Sequence, residues 1–286
     1  MLWKVFVALL AALVAAAVVA VYFGDMRWKE ETAAIRSGLD RARVAASEAK
    51  IVVSEAGEGL PDPVRRYLEA VLPKETPPVI GVTLRHTGEF NMSETGERWA
   101  PFTSDQAATM RRPGFDWDAR IRMAPGVNVY VHDAYVAGKG MLHAAVLGLV
   151  TVADQRDTPD IAQGELMRFL AEAAWYPTML LPAQGVRWEA IDERSARAFL
   201  EDGNTSVSLV FFFGVDGLME TFRADARTRS AGGVNTPAPW SGRFWNYERR
   251  NGILVPLDGE VSWLLPDGPK PYWRGHITDI RHEFAR

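Results

Sequence analysis

Hydrophobic and polar positions change rhythm three times along this chain. Residues 5–23 form 19 consecutive uncharged, almost wholly apolar positions, ending at Gly24-Asp25. A helix of that length spans roughly 29 Å at 1.5 Å per residue, enough to cross a bilayer core. Trp3 and Tyr22 sit where interfacial aromatics are expected. A cleaved signal peptide is the competing reading, because small-residue stretches such as Ala17-Val-Val-Ala can serve a peptidase. The run exceeds the ~7–15 residues of a usual signal core, so an uncleaved single-pass anchor over residues 1–24 is expected.

Residues 25–59 are charged and alanine-rich, with Lys29, Glu30, Glu31, Arg41, Arg43, Glu48 and Lys50. Ile35, Leu39 and Ala42 recur at helical spacing, which predicts a short juxtamembrane helix within a solvated stalk. A cleaner helix follows. Asp62 is placed to cap it, with Pro63 at the first helical position, where a missing N–H costs nothing. Val64, Tyr67, Leu68 and Val71 share one face and Pro73 stops the helix, which should pack on a sheet.

From about Gly81 the period becomes two, opening a β-rich domain assigned to residues 60–286. Phe115, Trp117, Ala119, Ile121 and Met123 alternate with Asp116, Asp118, Arg120 and Arg122, giving a half-buried strand. Val207, Leu209, Phe211 and Phe213 make another, which turns at Gly-Val-Asp-Gly and returns over residues 218–229. Residues 260–265, the turn Pro-Asp-Gly and residues 272–280 form a further hairpin. No strand–helix–strand alternation is present, so the sheet should be antiparallel and the fold class α+β, mainly antiparallel β. One helix interrupts the strands at residues 163–175. On it Glu165, Arg168 and Glu172 lie at i, i+3 and i+7 and can form an ion triplet.

Composition narrows the chemistry. The chain has 286 residues, 48% of them hydrophobic, and no cysteine. That excludes a disordered chain, a disulfide framework, a thiol nucleophile and a zinc ribbon. A formal net charge of −4 argues against a non-specific nucleic-acid binder. The five histidines, His86, His132, His143, His276 and His282, form no standard metal spacing, so no metal or cofactor is assigned. There is no Gly-x-Ser-x-Gly elbow, and Gly138-Lys-Gly is too short for a phosphate loop. The Asp116, Asp118, Arg120 and Arg122 row reads first as a solvated or cross-strand-paired surface. Eight of the ten tryptophans fall in the β-rich domain, where such rings fill cores or line apolar ligand cavities.

Four stretches resemble a bacterial family of membrane-anchored proteins of unassigned function. They are Leu60-Pro-Asp-Pro-Val-Arg-Arg-Tyr-Leu, Pro113-Gly-Phe-Asp-Trp-Asp-Ala-Arg, Gly164-Glu-Leu-Met-Arg-Phe-Leu-Ala-Glu-Ala-Ala-Trp-Tyr-Pro-Thr and Pro239-Trp. The order of helices and strands is more distantly similar to the envelope lipoprotein-carrier (LolA/LolB-like) fold. That similarity implies a curled sheet or half-barrel whose concave side holds one or two packed helices around a greasy cavity. It also implies an extracytoplasmic domain. Counted literally, Lys4 before the span against Arg27, Lys29 and Arg36 after it favours the cytoplasm.

The expectation is therefore a membrane-anchored protein binding a lipid-like, hydrophobic or amphipathic molecule at the membrane surface. The helix over residues 163–175 would be its lid or plug, and Arg168 would meet an anionic headgroup. The candidate binding residues are Arg168, Glu165, Glu172, Trp175, Tyr176, Trp117 and Asp118. An envelope hydrolase using carboxylates of the 163–175 helix and the 115–123 strand is the first alternative. A non-catalytic scaffold is the second. Neither nucleic acid nor a particular protein partner is implied.

Overall fold

The computed structural model describes residues 1–44 and 50–285. Helix α1 (Leu2–Ala42) opens the chain, followed by β1 (Ile51–Val52), α2 (Val53–Ala56), α3 (Asp62–Val71) and β2 (Glu75–Thr76). A first meander follows: β3 (Val79–Asn91), β4 (Trp99–Thr109), β5 (Gly114–Ala124), β6 (Val127–Val136), β7 (Lys139–Val146) and β8 (Val150–Arg156). Helix α4 (Pro159–Ala171) and three 3₁₀ turns lead into a second meander. It comprises β9 (Arg187–Asp192), β10 (Ser195–Asp202), β11 (Thr205–Phe213), β12 (Met219–Ala231), β13 (Val234–Arg250), β14 (Ile253–Leu265) and β15 (Gly268–Phe284).

Thirteen strands make one open sheet in the order β8-β7-β6-β5-β4-β3-β15-β14-β13-β12-β11-β10-β9. Every neighbouring pair is antiparallel, as the period-two pattern predicts. The first meander runs outward from the centre to one edge. The chain then crosses to the far edge and returns, so that β15 closes against β3. Helix α4 touches β5–β7 on one side and β11–β12 on the other. Those strands are far apart in sheet order, so the sheet curls around the helix.

Around α3 and α4 the concave side is filled. Leu166, Phe169 and Leu170 of α4, Thr178–Leu181 beyond it, and Val64, Tyr67, Leu68 and Val71 of α3 pack against the inward positions of the strands. The apolar Thr-Met-Leu-Leu run is thus core, not loop. Gly140 lets α4 approach: a Cβ there would lie 2.5 Å from the Ile161 carbonyl. Helix α4 starts four residues before the expected 163, because Thr158 caps it by accepting from the Ile161 N–H and Pro159 takes the first turn. Its expected last turn, Glu172–Trp175, tightens to 3₁₀ ahead of Pro177. In α3 the side chain of Asp62 pairs with Arg65 at 3.0 Å instead of capping.

The charged segment after the apolar run departs from expectation. Gly24-Asp25 does not end the helix; α1 is continuous over 41 residues, and its second half lies on the convex face of the sheet against β4, β5 and β6. Trp28 is 1% and Leu39 2% exposed. A solvated stalk would leave them in water, whereas here they cover the outward faces of β5 and β6. Glu48 of that segment lies outside the described residues.

Candidate functional site

Alternation along β5 sends its two sets of side chains to different places. Phe115, Trp117, Ala119 and Ile121 face the concave core, while Asp116, Asp118 and Arg120 face α1. On the concave side, a charged cluster lies between α4 and the strands. Arg168 pairs with Asp133 of β6 and, at 2.7 Å, with Glu172; its guanidinium lies over the Phe115 and Trp117 rings at 4.9 and 5.0 Å. Gln106 of β4 donates to the other Glu172 oxygen at 2.6 Å. Glu165 binds Arg227 of β12 at 3.1 Å, and Arg227 lies over Trp240 and Trp263 at 4.7 and 5.8 Å. The expected Glu165, Arg168 and Glu172 triplet is therefore divided between two arginines.

Burial, then the neighbouring Asp133 carboxylate, push the Glu165 carboxyl well above the usual range, against the pull of Arg227 and Arg168. Glu165 Oε2 and Asp133 Oδ1 each lack a donor. A protonated Glu165 answers both, its O–H donating to Asp133. The cluster then carries two guanidinium and two carboxylate charges and is neutral, as a site with little water requires.

Three further buried polar atoms have no partner: Gln106 Oε1, Trp117 Nε1 and His86 Nε2. They stand on adjacent strands β4, β5 and β3, all facing inward. The other His86 nitrogen meets Ser104 Oγ at 3.2 Å. Burial, then the Arg168 cation, hold His86 down to about 3, so the ring is neutral. Such groups are normally satisfied, and their gathering beside Arg168 marks a place where a polar guest can bond.

Aromatic rings lead away from this cluster. Trp117 meets Phe102 at 5.7 Å and Phe102 meets Trp273 at 6.0 Å. Trp240 donates to the Tyr272 hydroxyl at 2.9 Å, Tyr272 stacks on Trp263 at 5.8 Å and edges Phe90 at 5.9 Å. Phe90, Trp263 and Tyr272 are half-buried, so this second row, which starts at Trp240 beneath Arg227, surfaces at the end of the sheet where β3 terminates.

Of the expected site residues, Glu165, Arg168, Glu172 and Trp117 come together on this face. Trp175 and Tyr176 lie deeper as core, donating to the Pro256 and Phe169 carbonyls at 3.1 and 2.7 Å. Asp118 is on the other face. It accepts from Trp28 Nε1 at 2.9 Å and Thr32 Oγ1 at 3.1 Å, and it pairs with Arg120. Asp116, wholly buried, binds Arg36 at 3.0 Å and His132 at 2.9 Å, and Trp28 stacks on His132 and His143 at 4.5 and 5.0 Å. The carboxylate row expected at a solvated surface thus receives the helix. The sheet separates it from Glu165 and Glu172, so no hydrolytic step can use the two sets jointly. Sequence reasoning missed Asp133, Gln106 and Arg227. Their signal was a polar residue at an inward position: Asp133 between Val131 and Tyr135, and Gln106 between Ser104 and Ala108.

Cavities of about 530 and 580 Å³ lie outside this cluster, one at Met92, Trp99 and Met123, the other between α1 and the β6–β7 hairpin. Among the described residues no group of three His, Asp or Glu side chains is placed to hold a metal ion.

The model of a family of unknown function, DUF6920, matches residues 58–282. The chain belongs to that family. Its DUF6920 domain begins just before α3 and takes in nearly the whole sheet. The chain is also similar to the crystal structure of a LolA superfamily protein from Nitrosomonas europaea, at 12% identity over 72% of this chain and 87% of that one, with a TM-score of 0.32. No curated protein matches the sequence.

Proposed function

We propose that this DUF6920 member is a membrane-tethered, non-enzymatic domain that binds a lipid-like amphipathic molecule on the concave side of its sheet. The observation that carries the reading is the aromatic row from half-buried Phe90, Trp263 and Tyr272 to Trp240 and Arg227, at a cluster in which Gln106 Oε1 and Trp117 Nε1 have no partner among the described residues. A guest with an apolar body would lie along the rings. Its polar end would take bonds from Trp117 Nε1 and give them to Gln106 Oε1, with Arg168 and Arg227 fixed by their carboxylates as neutral, pre-set walls. The tether is α1, the helix among the described residues that is long and apolar enough to cross a membrane. Its second half is bolted to the sheet, which supports an uncleaved anchor over a removed signal. The domain is assigned to the extracytoplasmic side. A single cysteine replacing Val215, 92% exposed, should react with an impermeant maleimide in intact cells.

The full chain in detergent tests the binding. Solvent extraction followed by mass spectrometry should release a co-purified lipid, and the stripped protein should take up phenylnaphthylamine with a fluorescence rise. Trp263→Ala and Phe90→Ala should each weaken uptake about tenfold, in line with removing an aromatic anchor. Uptake unchanged in both variants would remove the concave face as the site.

A further inference from the structure

A second feature sits where α1 leaves the apolar run. Gly24 packs on the β7–β8 turn so closely that a Cβ would lie 2.3 Å from the Leu147 carbonyl oxygen and 2.8 Å from the Leu149 side chain. Fourteen residues on, Gly38 meets Val136 and Leu39 meets Gly114, at the opposite ends of β6 and β5. The helix therefore runs along the strands, and the sheet end bearing the β7–β8 turn lies level with the exit of the span. At that end Leu149, Val150 and Val152 are 40%, 63% and 59% exposed. Three apolar side chains in water would be a cost; at a bilayer surface they are a foot.

Strand register puts two more turns at the same end. Val146 pairs with Val129, Asn128 with Arg122, Ile121 with Phe102 and Trp99 with Asn91. The β5–β6 and β3–β4 turns thus stand about 10 and about 19 Å across the sheet from the β7–β8 turn, at 4.8 Å per strand. Between them lies the cavity of about 530 Å³, walled by Met92, Trp99, Pro101, Met123 and Pro125, with Arg98 and Arg122 on its lining. Neither arginine pairs with a carboxylate among the described residues; Arg98 reaches only the Met92 carbonyl, at 3.5 Å. In a chain of net charge −4, two uncommitted guanidinium groups on an apolar, methionine-rich wall are the complement of a phosphate on an acyl chain.

We infer that this end of the sheet is a bilayer-seated rim, in which the β7–β8 turn enters the interface and Arg98 and Arg122 hold the phosphate of an anionic phospholipid. The inference rests on the tether reading and adds a surface separate from the concave aromatic row. Seating the rim would also fix which way the sheet faces the membrane.

The natural absence of cysteine makes the test clean. The full chain, carrying one bimane-labelled cysteine at Leu13, Val152 or Val215, is reconstituted in phosphatidylcholine vesicles with or without phosphatidylglycerol. Spin-labelled lipids are the quenchers. The Leu13 and Val152 labels should be quenched and the Val215 label should not, with Val152 quenching stronger when phosphatidylglycerol is present. The Arg98→Gln, Arg122→Gln double variant should retain about tenfold less phosphatidylglycerol through detergent purification. A quenched Leu13 label with Val152 no more quenched than Val215 overturns the rim alone. An unquenched Leu13 label overturns tether and rim together. Retention of phosphatidylglycerol that the double variant leaves unchanged, or that inorganic phosphate abolishes, overturns the lipid assignment of the arginines. Trp263→Ala, which tests the concave aromatic row, should leave Val152 quenching as it is.

Discussion

The two faces of β5 bury charge in opposite ways. On the convex face the groups beneath α1 have found partners: Asp116 has Arg36 and His132, Asp118 has Trp28, Thr32 and Arg120, and His143 has Glu31 at 3.0 Å. On the concave face Gln106, Trp117 and His86 each keep one atom without a partner among the described residues. Both faces carry acids, arginines and tryptophans, so residue type does not distinguish them. Completeness of bonding does. A network that closes on itself is a fastening, and one left open has capacity for something else.

The largest effect should come from the fastening. Trp28 fills the space between Tyr130, His132 and His143, so Trp28→Ala should cost about 3–5 kcal/mol, the usual range for a buried large aromatic. Hydrogen exchange should show β6 amides losing protection while those of β14 do not. An unfolding midpoint within a degree of the parent would mean that α1 only rests on the sheet.

A matched pair of substitutions sharpens the contrast. Asp116→Asn leaves Arg36 and His132 facing an amide and should cost about 3 kcal/mol, because breaking a buried pair strands its partner. Glu165→Gln replaces a carboxyl that is already neutral in the fold, so it should cost less than about 1 kcal/mol near pH 4.5 and stabilise at neutral pH, where the parent's unfolded chain gains by ionising this group. Equal losses in thermal unfolding would erase the distinction between a closed network and an open one.

The hairpins were legible because alternation survives burial: Phe115 to Met123 and Val207 to Phe213 could be read directly. The clasp was not. Its inward stripe on α1 runs Trp28, Thr32, Arg36 and Leu39, helical in spacing but half polar, so it reads as a charged stalk until Asp116 and Asp118 are known to lie beneath it. The concave cluster was half legible. Glu165, Arg168 and Glu172 share one helix, whereas Asp133 and Arg227 reach them through strands 35 residues before and 59 after Arg168, which only the curl of the sheet brings together.

The last effect is a slope against pH, and it separates two concave groups by sign. His86 is held neutral down to about 3 in the fold, while in the unfolded chain it takes a proton near 6.5. Below 6.5 the unfolded state binds the extra proton, so this contribution to stability is lost as pH falls from 6.5 toward 3. Glu165 works in the other direction: its folded carboxyl stays protonated above 4.5, so stability is lost as pH rises past that value. Between 4.5 and 6.5 the two slopes oppose each other, so the parent's profile should be flatter there than that of either variant. His86→Gln should leave a profile that falls with rising pH, and Glu165→Gln one that rises, each by up to about 1.4 kcal/mol per pH unit. Unfolding midpoints across that window measure both. If the two variants tilt the same way, the open side of the sheet is not holding both a neutral histidine and a neutral acid, and it loses its contrast with the closed side.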